Sequence, residues 1–169
     1  NSDALADTNE SPLTPTLMTE YETVFDETQL DIWLEKLARA DAFAFDTETT
    51  SIDYMEAKLV GLSFCCEAGK AAYVPMAHNY EGAPAQLSME QVLSKIRPLL
   101  ENPEKTIIGQ NLKYDISVMA RHGVNIKAKV VDTMLESYVL NSVATRHNMD
   151  DLALNYLGLS TVHFEDIAG

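Results

Sequence analysis

The sequence places two acidic residues, Asp46 and Glu48, at the end of the apolar stretch AFAFDTE. Alternate residues of a strand share a face, so both carboxylates would point the same way, roughly 6.5 Å apart along the backbone. Carboxylate oxygens suit hard divalent cations such as Mg²⁺ or Mn²⁺. An acidic pair within a buried strand is costly unless protons or metal ions compensate its charge. The alternative is a strand end that emerges into solvent with ordinary surface charges, and spacing alone leaves both open.

A second polar cluster, GQNLKYD at residues 109–115, follows a short apolar stretch and opens a helical pattern. Asn111 is expected to cap this helix, which puts Tyr114 and Asp115 in its first turns. Asp115 can then project over the carboxyl end of the sheet, where Asp46 lies. The alternative is that Asp115 only interacts favourably with the helix dipole.

The elements around these residues predict an α/β domain with a mixed sheet flanked by helices. Apolar stretches joined by short connections predict an antiparallel meander over residues 42–48, 59–66 and 71–77. A further strand is predicted at 106–109. Helical spacing and capping residues predict helices over 28–40 (from Asp26), 88–101 (from a Ser88 and Gln91 capping box), 112–122, 134–141 (from Asp132) and 148–158. Pro98 should bend or shorten its helix.

Charge and composition narrow the classes of protein that this chain can be. Twelve Lys and Arg against 26 Asp and Glu give a net charge of −14, which argues against a nucleic-acid binder that relies on a basic surface. One segment, residues 105–130, departs from this, because five basic side chains there oppose only Asp115 (Lys105, Lys113, Arg121, Lys127, Lys129). The four histidines lack metal-ligand spacing and are expected at the surface or at helix caps.

Several features bear on where the protein works. The adjacent Cys65 and Cys66 have no second pair of cysteines with which to form a zinc site, so we expect them to be packing residues. Their number favours a reducing, cytoplasmic setting. No Lys or Arg precedes Lys36, so no secretory or transit signal is expected, and no apolar run approaches the roughly 20 residues that span a bilayer. Residues 1–19 show neither helical nor strand period and are predicted to be a flexible lead-in or linker.

Three longer motifs carry a resemblance to a known family. The chain resembles the proofreading 3′–5′ exonuclease domain of bacterial DNA polymerase I, the N-terminal part of the Klenow fragment. The motifs that carry this resemblance are, in chain order, FDTETTSID with LVGLSF, IGQNLKYD, and DTMLESYVLNSVATRHNMDDLA. The resemblance runs from about Tyr21 to Gly169 and implies a domain at 20–169. It also implies a ribonuclease-H-like fold and a hydrolase that uses two divalent ions, Mg²⁺ or Mn²⁺, to cleave the 3′-terminal phosphodiester of DNA in replication and repair.

The resemblance also implies roles for individual residues. Asp46, Glu48 and Asp115 match the family's metal-binding, catalytic carboxylates. The residues that would hold the 3′ end of single-stranded DNA are Ile52, Gln110, Asn111, Tyr114, Arg146 and Phe164. The polymerase domain of the same parent chain is the implied partner, and it would supply most of the DNA affinity despite the acidic composition.

One expected motif is missing from the sequence. The family's third motif, Tyr-x-x-x-Asp, is absent, because no tyrosine is followed by aspartate four positions later. The chain is therefore expected to be C-terminally incomplete, without the last helices and with three of four metal carboxylates, so that the second metal site is incomplete and activity is weak or absent. Two alternatives stay open: a catalytically silent domain that braces a polymerase, and an RNA-trimming enzyme resembling ribonuclease D.

Overall fold

The computed structural model describes residues 19–143 and 146–161. Its strands are β1 Glu20–Thr23, β2 Ala42–Thr49, β3 Leu59–Glu67, β4 Lys70–Pro75, β5 Thr106–Gly109 and β6 Lys129–Asp132. Its helices are α1 Glu27–Arg39, α2 Met89–Leu100, α3 Leu112–Arg121, α4 Thr133–Leu140 and α5 Met149–Leu152, the last continued by a π-helical turn at Ala153–Leu157. The predicted linker falls almost wholly outside the described residues and stays a prediction.

The six strands form one mixed sheet in the order β1-β4-β3-β2-β5-β6. The predicted meander is confirmed, because β3 pairs antiparallel with both β2 and β4. Strands β2, β5 and β6 are parallel neighbours. Strand β1, which adds to β4 in parallel, was not predicted, since its four residues are all exposed and show no alternation. The α/β fold class with a mixed sheet is therefore the observed one.

Apolar helix faces and strand residues form a single core. The core includes the three buried phenylalanines of β2 and β3 together with apolar residues of α1, α2 and α3 (Leu30, Trp33, Leu37, Val92, Ile96, Leu100, Leu112, Val118, Met119). Asp26 and Gln29 form a complete capping box on α1, whereas on α2 the Ser88 side chain accepts from the Gln91 N–H. Pro98 does not shorten α2, because the helix continues past it to the buried Leu100, and a bend at Pro98 stays a prediction.

Gly109 brings the start of α3 against β2. A Cβ at this position would lie 2.8 Å from the Phe45 carbonyl oxygen and 2.6 Å from Leu112 Cδ2, so only glycine fits. Asn111 lies at the predicted N-cap position of α3, but its backbone is left-handed, with φ 56°, and its side chain makes no capping hydrogen bond. Asp132 takes that role, accepting from the N–H groups of Asn111 and Leu112. The chain thus enters α3 beside β2.

The elements after β6 pack loosely on one another. The predicted helix over 148–158 is present as α5 and the π-helical turn, ending at Gly158, but none of its residues is buried. A broad apolar groove of about 970 Å³ lies between α4 and these turns, lined in part by Leu135, Val139 and Leu140. Among the described residues, no helix is long and apolar enough to cross a membrane.

Candidate active site

Asp46 and Glu48 lie on one face of β2, as the alternation predicted. Asp46 pairs with Ser63 of β3 and Glu48 pairs with Gly61, whereas Thr47 between them faces the opposite side and is buried. Asp46 is half-buried and Glu48 is exposed. A half-buried carboxylate therefore sits beside an exposed one at the end of a core strand.

Asp115 reaches β2 from the first turn of α3. Its side chain is 2% exposed, and its Oδ1 accepts hydrogen bonds from the Thr47 N–H at 3.0 Å and the Thr47 hydroxyl at 2.6 Å. The Thr47 N–H is available because the pairing of β2 with β5 ends at Ala44 and Ile108. A residue that only interacts with the helix dipole at the surface would not need this burial or these hydrogen bonds. The structure therefore favours the interpretation in which Asp115 projects over the end of the sheet near Asp46.

The carboxylates influence one another electrostatically. Burial, followed by the charges of Asp115 and Glu48, raises the pKa of Asp46 to about 7. Burial is also the main reason why the pKa of Asp115 is raised, and the charge of Asp132 adds to it, whereas the hydrogen bonds from Thr47 act in the opposite direction. The ion pairs found in the described chain lie elsewhere, on α1, α2 and the β3–β4 turn. The site is therefore a concentration of negative charge.

The donor chemistry of the site fits a hard divalent cation, because every candidate ligand is a carboxylate oxygen. The geometry is not that of a preassembled centre: within residues 19–143 and 146–161, no three His, Cys, Asp or Glu side chains are grouped so that they could hold a metal ion. One oxygen of Asp115 is already engaged by Thr47, and like charges favour separation of the side chains. A cation would have to draw Asp46 and Glu48 together.

Tyr114, predicted to contact DNA, braces the loop after β2. Its hydroxyl lies 2.5 Å from the Thr49 hydroxyl and donates a short hydrogen bond to the Ser51 carbonyl. The next residue, Ile52, is 98% exposed, which is unusual for a large apolar side chain. The loop thus presents Ile52 to solvent four residues after Glu48 in the chain.

Gln110 connects the start of α3 to the segment that contains Arg146. Its amide nitrogen donates to the His147 carbonyl at 2.8 Å, and its amide oxygen accepts from the Thr133 hydroxyl at 2.6 Å. Asn111 and Arg146 are both exposed. Three of the predicted DNA-binding residues therefore belong to adjoining segments, whereas Phe164 lies outside the described residues.

Sequence reasoning missed the structural role of His147. Its side chain is 3% exposed, not at the surface, and its backbone is left-handed, with φ 58°. Nδ1 is 2.7 Å from the Ser137 hydroxyl, Nε2 is 3.2 Å from the Ser142 carbonyl, and the ring stacks on Tyr138. No sequence signal marks such a position, because the partners come from two different segments and the backbone conformation is not readable from residue types.

The basic segment 105–130 is less available to a phosphate backbone than its composition suggests. The Lys105 ammonium donates to the carbonyls of Ala38 and Ala40, each at 2.6 Å. The Arg121 guanidinium donates to the carbonyls of Tyr54 and Ala57 at 2.6 and 2.8 Å. Two of the five cations therefore stabilise the fold, and Lys113, Lys127 and Lys129 remain as exposed charges.

Known proteins resemble this chain in both sequence and fold. Residues 21–169 match the family described as the 3′–5′ exonuclease of DNA polymerase A. DNA polymerase I of Pseudomonas aeruginosa is 56% identical over 152 residues, which cover 89% of this chain and 17% of that polymerase.

Two solved structures share the fold at low identity. Escherichia coli RNase D, an exoribonuclease involved in structured RNA processing, superposes with a TM-score of 0.67 at 14% identity, covering 88% of this chain and 36% of that one. Brucella melitensis NrnC with bound Mg²⁺ superposes with a TM-score of 0.61 at 19% identity, covering 86% of this chain and 64% of that one. The two TM-scores show a shared ribonuclease-H-like fold.

Proposed function

Because the chain belongs to the 3′–5′ exonuclease family of the DNA polymerase A proteins, we propose that it is the proofreading domain of a DNA polymerase I. The proposed reaction is hydrolysis of the 3′-terminal phosphodiester of single-stranded DNA during replication and repair. The chain covers about a sixth of its polymerase relative, so the polymerase domain of the same parent chain, as partner, belongs to the proposal. A cytoplasmic location is part of it too.

One observation supports this proposal most directly: the half-buried Asp46 lies within electrostatic reach of both Glu48 and Asp115, and its pKa is raised to about 7. An arrangement that costs folding energy without a cation is expected where a cation belongs to the function. Asp46 and Glu48 would hold one or two divalent ions, Mg²⁺ or Mn²⁺, and Asp115 would support the second directly or through water. A bound divalent ion would stabilise negative charge on the phosphate oxygens.

The residues of this chain have separate tasks in the proposal. Thr47 holds Asp115 by two hydrogen bonds, so that the third carboxylate keeps its place near β2. Ile52, together with Phe164, would pack against the terminal base. The single-stranded DNA near its 3′ end would contact Gln110, Asn111, Tyr114 and Arg146. Because the sequence lacks Tyr-x-x-x-Asp, the second metal site would be incomplete and the isolated chain would hydrolyse DNA slowly.

The alternatives are weaker on present observations. RNase D shares the fold at only 14% identity, and a similarity this low does not indicate RNA as the substrate. The polymerase relative, by contrast, is 56% identical. A catalytically silent bracing domain would have no need for two acidic residues, Asp46 and Asp115, in positions where burial raises their pKa. The proposal therefore keeps DNA as the substrate and hydrolysis as the activity.

Single-turnover digestion tests this proposal. Short DNA and RNA oligonucleotides, labelled at the 5′ end, are incubated in Mn²⁺ with this chain and with a version extended through a Tyr-x-x-x-Asp motif; Asp46→Ala of the extended version controls for contaminating nucleases. We expect stepwise shortening of DNA from its 3′ end by the extended version, at least tenfold slower cleavage by the short chain, and none by the variant. Faster cleavage of RNA than of DNA, or equal cleavage by Asp46→Ala, would contradict it.

A further inference from the structure

Tyr73 of β4 lies on the same face of the sheet as the two carboxylates of β2. Asp46 pairs with Ser63, which pairs with Tyr73, and Glu48 pairs with Gly61. Directly paired residues, and residues two apart on one strand, share a face. The phenol of Tyr73 therefore belongs to the surface on which the candidate active site is built, although it comes from a strand two places away.

Gly61 determines where the phenol lies on that face. A Cβ built on Gly61 would be 2.0 Å from the Tyr73 hydroxyl oxygen and 2.4 Å from Cζ. The ring therefore occupies the space above Gly61 that any side chain would fill. Since Gly61 is the direct partner of Glu48, the hydroxyl lies about one strand spacing, roughly 5 Å, from the backbone of Glu48. Only glycine at position 61 permits this approach.

His78 fixes the hydroxyl of Tyr73. The hydroxyl oxygen is 2.5 Å from His78 Nε2, and the two rings meet edge-on at 5.8 Å. The backbone of His78 is held in turn by Gln86, whose side chain accepts from the His78 N–H at 2.9 Å and donates to its carbonyl at 2.8 Å. Burial, then the charge of Glu48, raises the pKa of Tyr73 to about 12, so the phenol keeps its proton at neutral pH.

We infer that Tyr73 is a positioning residue for Glu48: its hydroxyl donates a hydrogen bond to the Glu48 carboxylate when that carboxylate binds a divalent cation. The inference rests on the proposed function, because it takes Glu48 to be a metal ligand. The phenol has one proton, so donation to Glu48 requires that Nε2 of His78 carry a proton and donate to the phenol oxygen. The order of donors is therefore His78, Tyr73, Glu48.

A purely structural role would set the donors in the opposite order. The phenol would then donate to an unprotonated Nε2 and only pack beside the small cavity that Tyr73 lines together with Phe25 and Tyr80. The two orders differ in the tautomer of His78, which ¹⁵N spectroscopy of the imidazole reports without any measurement of catalysis. They also differ in whether metal binding depends on the Tyr73 hydroxyl.

The first test measures Mn²⁺ affinity of the full chain. Tyr73→Phe keeps the ring over Gly61 and removes only the hydroxyl; Tyr80→Phe, at an exposed tyrosine of the same cavity, is the matched control. We expect Tyr73→Phe to weaken Mn²⁺ binding about tenfold, as loss of a hydrogen-bond partner of a metal ligand does. In a Glu48→Gln background the same substitution should change the affinity less than twofold. An equal loss in both backgrounds would overturn the inference.

The second test uses the ¹⁵N spectrum of His78 with and without Mg²⁺. We expect Nε2 to be protonated in the Mg²⁺-bound chain, and the response of His78 to Mg²⁺ to disappear in Tyr73→Phe. An unprotonated Nε2 with Mg²⁺ bound would overturn the inference alone. Mn²⁺ binding that depends on Glu48 but not on Tyr73 would do the same, whereas binding indifferent to Glu48 itself would overturn both the inference and the proposed metal site.

Discussion

The Thr47 hydroxyl donates a hydrogen bond of 2.6 Å to the carboxylate of Asp115, across 68 positions of sequence. The Thr47 N–H donates to the same oxygen. This pair joins α3 to β2 at the point where β5 no longer pairs with β2. Thr47, which lies between the two acidic residues of β2, therefore holds Asp115 near Asp46.

Thr47→Val should destabilise the protein, because it removes a donor from a buried carboxylate while keeping the side-chain shape. We expect a loss of about 1.5–3 kcal/mol in the free energy of unfolding. Thr47→Ser, which keeps the hydroxyl, should lose less. Urea unfolding followed by the fluorescence of Trp33, the sole tryptophan, measures both. Equal stability of the two variants would show that the hydroxyl contributes nothing.

Asp46 should make the metal-free protein less stable as the pH rises. Its pKa is raised from 3.8 to about 7, so the folded state binds the proton more tightly than the unfolded state does. Stability from this group is full below pH 4 and is lost as the pH rises towards 7. Asp46→Asn removes this pH dependence. We expect its free energy of unfolding to exceed that of the wild type by about 1–2 kcal/mol at pH 8, after allowance for solvent screening.

The control for this pH experiment is Glu81→Gln, which removes an exposed acidic group. Thermal unfolding of the three proteins at pH 5 and pH 8 in the presence of a chelator gives the comparison. The advantage of Asp46→Asn should shrink at pH 5. A variant less stable than the wild type at pH 8 would mean that the carboxylate is not strained in the fold.

Asp132 should be among the most important single carboxylates for stability. It accepts from the N–H groups of Asn111 and Leu112 at the start of α3 and from those of Met134 and Leu135 in α4, at 2.9–3.3 Å. Because two helix starts lose their cap together, we expect Asp132→Ala to cost about 2–4 kcal/mol of unfolding free energy.

The matched comparison for Asp132 is Asp26→Ala, which removes the side-chain cap of α1 alone. It should cost about 1 kcal/mol, in the usual range for a single cap. Chemical denaturation of both variants provides the measurement. If the two substitutions cost the same, the double capping role of Asp132 is not supported.

Binding of single-stranded DNA should be weak and should depend on divalent ions more than on the exposed lysines. The net charge is −14, and Lys105 and Arg121 are engaged with backbone carbonyls. We expect fluorescence anisotropy with a labelled oligonucleotide to show a larger loss on removing Mg²⁺ than on combining Lys113→Gln with Lys127→Gln. Tight binding that persists in a chelator and in Asp46→Ala would instead support a module that binds DNA without hydrolysing it.

Local patterns in the sequence were sufficient for much of the fold. Alternation placed Asp46 and Glu48 on one face, and capping residues such as Asp26 and Ser88 located helix starts, because these features depend on neighbours within a few positions. Contacts across the chain were not predictable in this way. Asp115 meets Thr47, and Tyr73 lies over Gly61, only because strand order and register bring them together. Strand β1 is held by its pairing with β4, which its own residues do not reveal.

Anomalous diffraction from crystals of this chain soaked in Mn²⁺ tests most directly whether Asp46 and Glu48 bind a metal ion. We expect a Mn²⁺ peak in contact with a carboxylate oxygen of Asp46 and one of Glu48, while Asp115 Oδ1 still accepts its hydrogen bonds from Thr47. No such peak is expected in crystals of Asp46→Ala. A Mn²⁺ peak that touches neither Asp46 nor Glu48, or an unchanged peak in the variant, would contradict this expectation.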